Sequence, residues 1–148
     1  MSRFKAIIFD LDGTLLDSME DIADSMNMVL AKAGLPPHPV EAYRYFIGDG
    51  MDVLVKRALP EGKRQPENLK ACLAAMKMVY SRNWAAKSRP YPGIATLLNR
   101  CESIGLKMGI LSNKPDDAPR PLWIISSSRR FLRPLKAHAP IFLKNQTL

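Results

Sequence analysis

A short apolar run ending in two closely spaced aspartates sets the terms for this chain. Phe4 to Phe9 is rich in Ile and Phe and carries no charge after Lys5, and Asp10-Leu11-Asp12-Gly13-Thr14-Leu15-Leu16-Asp17-Ser18 follows directly. A run of this kind reads as a buried strand of a parallel sheet. Open α/β sheets bind ligands at the carboxyl ends of their strands, which is where Asp10 and Asp12 fall. In a continued strand the two would share a face, whereas a turn at Gly13 re-aims the second. Adjacent carboxylates repel unless a proton or a cation separates them, so the pair is a candidate site for chemistry.

Beyond the motif the pattern becomes helical. Ser18 is a good N-cap with Asp21 at the reciprocal position, and Ile22, Met26, Val29, Leu30 and Ala33 recur at helical spacing before Gly34, Pro36 and Pro37. Pro39 can open a second helix from Val40 to about Phe46. A third runs from Met51 to Leu59, after the glycine-punctuated Ile47-Gly48-Asp49-Gly50. Pro66 suits a first helical turn, and Leu69, Cys72, Leu73, Met76, Tyr80 and Trp84 form one apolar face reaching about Ala86. Residues 88–93 then break the pattern. Ile94, Leu97, Leu98 and Cys101 predict a short helix stopped by Gly105, and Leu106 to Leu111 a second strand with Ser112, Asn113 and Lys114 at its carboxyl end.

Composition narrows the class. Of 148 residues 47% are hydrophobic, enough for a real core, and no apolar run approaches the ~20 residues of a membrane helix. A soluble, cytoplasmic protein without a membrane partner is the expectation. Cys72 and Cys101 lack metal or redox spacing and read as packing thiols; Met26, Met28, Met51, Met76 and Met78 read as core or lid packing, and His38 and His138 show no ligand spacing. The net charge of +8 is unevenly placed: residues 1–117 hold 16 Lys/Arg against 14 Asp/Glu, and residues 118–148 hold six basic residues and no acidic one. That tail has no recognised nucleic-acid module around it, which argues against nucleic acid as the partner.

An isolated D-x-D reads as a turn with solvated carboxylates. The whole pattern, apolar strand, D-x-D-G-T-L-x-D-S and helix, is far more specific. It resembles motif I of the haloacid dehalogenase superfamily, in particular its phosphoglycolate phosphatase-like branch. Leu111-Ser112-Asn113-Lys114 resembles motif II, and Phe46-Ile47-Gly48-Asp49-Gly50 the substrate loop of the cap. The resemblance, over residues 1 to about 117, implies a Rossmann-like parallel α/β core with an inserted all-helical cap. Residues 1–16 and 88–117 would form the core, 17–87 the cap, and 118–148 an atypical basic Pro/Ser/Arg tail.

It also implies roles. Asp10 would be the nucleophile that forms an aspartyl-phosphate, and Asp12 the general acid and base. Mg2+ would be held by Asp10 and Asp12, Ser112 and Asn113 would hold the phosphoryl oxygens, and Arg57 could reach an anionic group of the substrate, although a solvated helix face is an equal reading. Asp17 and Asp49 read as capping or loop residues. The implied partner is a small phosphorylated metabolite such as 2-phosphoglycolate, hydrolysed as a phosphoric monoester.

The family pattern continues past motif II with a lysine and then a G-D-x-x-x-D motif whose acid completes the Mg2+ site. This sequence has neither, and no acid follows Asp117. Residues 118–148 therefore read as a replaced C-terminus, and the core as one lacking its C-terminal part. Such a core leaves the motif I strand with an unpaired apolar edge, through which the chain could self-associate. The competing expectation is a catalytically impaired relative that at most binds a phosphorylated ligand or a protein partner.

Overall fold

Two parallel strands and the helix beside them organise the first part of the structure, a computed structural model that describes residues 4–110 in full and the backbone of 111 and 141–142. β1 (Ala6–Asp10) pairs in parallel with the strand Lys107–Leu111, in the register Ile7↔Met108, Phe9↔Ile110 and Asp10↔Leu111. In chain order the other elements are β2 (Leu16–Asp17), α1 (Met19–Lys32), α2 (Met51–Ala58), α3 (Pro66–Asn83), β3 (Arg89–Pro90) and α4 (Ile94–Ser103), so the Lys107–Leu111 strand is β4. β5 (Ile141–Phe142) adds to β4 in antiparallel fashion, and β1 stands at the edge of the order β1-β4-β5 among the described residues. β2 and β3 form a separate two-stranded sheet.

The described residues divide into two compact units, one from residues 4–17 and 90–111 with β5, the other from residues 18–89. The α/β class with a parallel pair and a helical insert is as the sequence implied.

In the α/β unit the register places Ile7, Phe9, Met108 and Ile110 on one sheet face, where they cluster with Ile94, Leu98 and Cys101 of α4 and with Leu11, Leu15 and Leu16 of the loop. Gly105 ends α4: at φ +73° it occupies the left-handed region, and Leu106 N–H reaches back to the Cys101 carbonyl at 3.0 Å. On the opposite face Ile8 is half exposed, although a parallel sheet ordinarily buries both faces.

The helical unit has its own core. Ile22, Ala23, Met26, Val29 and Leu30 of α1 meet Cys72, Met76 and Tyr80 of α3 and Leu54, Val55, Ala58 and Leu59 around α2. Met26 and Met76 are buried there, whereas Met28 and Met78, expected in the packing, stand on the surface. Cys72 and Cys101 are free, buried thiols, and burial pushes the Cys72 thiol up from its ordinary pKa.

The helix expected from Val40 is present as a 3-10 helix, Val40–Tyr45: Pro39 enters extended and Tyr43 is pulled fully inside, where its hydroxyl donates to Asn27 Oδ1 at 2.7 Å. Two local expectations differ. α3 ends at Asn83 instead of near Ala86. Ser18 sits at the N-cap of α1 without a side-chain cap hydrogen bond, and Asp21 turns to Lys87 and Ser88 instead of completing a capping box.

Candidate active site

Asp10 is the last residue of β1, and its alternation with buried Phe9 carries its side chain to the exposed side of the strand end. One carboxylate oxygen is fixed by its own neighbour: Leu11 N–H donates to Asp10 Oδ1 at 2.8 Å. In register beside Asp10 is Leu111, the residue immediately before Ser112. Ser112 and Asn113, the expected phosphoryl holders, lie outside the described residues, as does the tail beyond them except for the β5 backbone.

The loop after Asp10 is built around one carbonyl. Leu11 C=O accepts the N–H groups of Thr14, Leu15 and Leu16 at 3.3, 3.0 and 2.9 Å, and Gly13 N–H donates to the Leu16 carbonyl at 2.8 Å. Asp12 forms an isolated bridge with Leu16, so the chain doubles back within five residues. Gly13 makes this possible at φ +80°, and a Cβ there would meet no atom of the described residues, so among them the constraint is backbone conformation and not space. Leu11, Leu15 and Leu16 are buried and anchor the loop into the core. Asp12, half-buried beside the exposed Asp10, is thereby held on a rigid turn at the strand end.

Asp17 closes this end of the unit. Burial first, then the Asp17 charge and its hydrogen bond, push the Tyr91 phenol up from its ordinary pKa, and Tyr91 N–H donates to the Leu15 carbonyl at 3.3 Å. Asp17 therefore has a specific partner 74 positions away, which its local sequence does not reveal.

Arg57 and Asp49 belong to the helical unit. Arg57 Nη2 lies 2.6 Å from Asp49 Oδ2 and its Nη1 donates to the Phe46 carbonyl at 3.4 Å. The arginine is thus tied at two points to the loop that the sequence singled out, while both partners stay partly exposed.

For a metal, the donor chemistry is the relevant test. Asp10 and Asp12 offer hard carboxylate oxygens at an open strand end, a set suited to Mg2+, which is commonly held by one or two carboxylates with substrate phosphate and water. Among the described residues no group of three or more His, Cys, Asp or Glu could hold a metal ion by itself. The chemistry of the two aspartates is compatible with part of such a ligand set.

A parallel strand end carrying two aspartates on a glycine turn, with a helical insert following it, defines a parallel α/β core of a recognisable kind. The family model described as haloacid dehalogenase-like hydrolase matches residues 7–120. The phosphoglycolate phosphatase of Psychrobacter arcticus is 34% identical over 115 residues, 74% of this chain and 50% of that protein. That of Mannheimia succiniciproducens is 35% identical over 127 residues, 82% of this chain and 57% of that protein. Among solved structures, a predicted phosphoglycolate phosphatase from Haemophilus somnus superposes with a TM-score of 0.72 at 32% identity, covering 78% of this chain and 54% of that one.

The chain belongs to the haloacid dehalogenase-like hydrolases. It spans about half the length of the curated relatives it matches. The family match stops at residue 120, close to where the acid-free stretch begins.

Proposed function

We propose that the chain carries the nucleophile half of a phosphatase that hydrolyses a small phosphorylated metabolite, such as 2-phosphoglycolate, through an aspartyl-phosphate. The observation that carries this reading is Asp10 itself: an exposed carboxylate at the carboxyl end of a parallel strand, oriented by the Leu11 N–H and followed by the rigid Asp12–Gly13 turn.

An Asp10 carboxylate oxygen attacks phosphorus, an O–P bond forms, and the ester O–P bond breaks. Asp12, protonated at that moment, gives its proton to the departing alkoxide. Its carboxylate then takes a proton from water, and the resulting hydroxide attacks phosphorus to release inorganic phosphate and restore Asp10. Mg2+, held by the Asp10 carboxylate and by Asp12, would offset charge repulsion between nucleophile and phosphate. Ser112 and Asn113 would bind the phosphoryl oxygens.

Hydrolysis of p-nitrophenyl phosphate with and without Mg2+, with Asp10→Asn as control, tests this. Mg2+-dependent turnover abolished by the substitution is the expected result. Turnover that survives in Asp10→Asn would remove Asp10 from the mechanism. A second reading is binding of a phosphorylated ligand without turnover, since residues 118–148 hold no acid that could add a further carboxylate to the metal site. A folded sample that binds phosphate in an Asp10-dependent manner and hydrolyses nothing would support it.

A further inference from the structure

We infer that residues 18–89 fold and unfold as a cooperative unit of their own, closed into a ring by the Asp21 carboxylate, so that this helical module stays folded when the α/β unit does not. The first ground is the cores. Each buried or partly buried apolar residue clustered around α1, α2 and α3 lies between Met19 and Trp84, the cluster around β1 and β4 lies outside that range, and the two share no residue.

The second ground is the way the ends are joined. Asp21, 2% exposed on the first turn of α1, accepts Ser88 N–H at 2.7 Å, Ser88 Oγ–H at 2.6 Å and Lys87 N–H at 2.9 and 3.0 Å to its two oxygens. Lys87 Nζ adds an ion pair to Asp24 at 2.7 Å, with Glu20 at 3.7 Å. The start and the finish of the segment are therefore bonded to each other within the segment. A buried carboxylate that accepts two backbone N–H groups and a hydroxyl fixes the geometry of both ends, and contiguous segments of this kind, with a core of their own, are the units that open separately.

A second polar network knits the middle. Asn27 Nδ2 donates to the His38 carbonyl and Asn27 Oδ1 accepts His38 N–H, both at 2.9 Å, while His38 Nε2 meets the Ala58 carbonyl at 2.8 Å. With the Tyr43 hydroxyl also donating to Asn27 Oδ1, α1, the 3-10 helix with the segment before it and the end of α2 are tied by side chains that all belong to this module.

Hydrogen exchange on the full chain tests the inference. In Met108→Asp, which puts a charge into the β1/β4 core, amides of β1 and β4 should lose protection while those of α1 and α3 keep theirs within about threefold. In the unaltered chain, rising urea should resolve two sets of amides with different opening slopes. Adding Asp21→Asn to Met108→Asp should speed α1 and α3 exchange by roughly 30-fold, the factor for one charged buried hydrogen bond. Loss of α1 and α3 protection in Met108→Asp, together with a single urea dependence in the unaltered chain, would overturn independence. Unchanged α1 and α3 exchange on adding Asp21→Asn would overturn the role of the carboxylate.

Discussion

The Asp21 carboxylate and Ser88, 67 positions apart, form one buried hydrogen-bonded pair, with Oδ2 accepting both the Ser88 hydroxyl at 2.6 Å and its N–H at 2.7 Å. Asp21→Asn keeps the shape but turns one acceptor into a donor facing backbone N–H groups. The expected loss is about 2 kcal/mol of stability, because a buried donor is left unsatisfied. Ser88→Ala removes the hydroxyl alone and should cost about 1 kcal/mol. Urea unfolding of both variants, read from the midpoint at a common slope, checks the order and the sizes.

Ser25, on the same helix, makes the opposite prediction. Its hydroxyl is fully buried and has no hydrogen-bond partner among the described residues. Folding strips that group of water without compensation, so Ser25→Ala should be neutral or raise stability by about 1 kcal/mol. A clear loss in urea unfolding would show that the hydroxyl has a partner after all.

Gly13 sits at φ +80° with no atom of the described residues where a Cβ would stand. Gly13→Ala should therefore cost only the left-handed backbone penalty, about 1–2 kcal/mol, with no clash added. Because the turn holds Asp12 beside Asp10, the substitution should also slow any Asp10-dependent hydrolysis. Unfolding curves and p-nitrophenyl phosphate rates on one preparation separate the two effects.

The elements that were legible in the sequence share a local cause. The Phe4–Phe9 run, the α1 stripe of Ile22, Met26 and Val29, and the Gly105 stop each record their structure in neighbouring residues, so periodicity and turn chemistry suffice. Asp10, Asp12 and Gly13 were visible in the same way. Asp17 and Asp21 were read from their neighbours as a loop or capping residue and a capping partner, but they bond to Tyr91 and to Ser88. A contact across 66 or more positions leaves no mark at either end of a single sequence. The helix at Val40–Tyr45 is legible in the sequence, but its 3-10 form is not: it goes with the Tyr43 hydroxyl bonded to Asn27, a contact that propensity alone does not contain.

Tyr43 also sets how the fold responds to alkali. Burial first, and the Asp24 charge second, push its phenol well above the ordinary value of 10.0. Below pH 10 the phenol is protonated in both folded and unfolded chains, so its contribution is complete. Above pH 10 the unfolded chain releases the proton while the folded chain keeps it, and stability falls as pH rises, by at most about 1.4 kcal/mol per pH unit for one group. Tyr91 and Lys87, both raised, lose their contributions in the same direction, so they leave a residual slope in any Tyr43 variant. Tyr43→Phe should cost about 1 kcal/mol at neutral pH, through the lost bond to Asn27 Oδ1, yet flatten the decline above pH 10. Urea midpoints of the two proteins at pH 8, 10 and 11 should therefore converge as pH rises, and parallel curves would show that Tyr43 does not govern the alkaline limb.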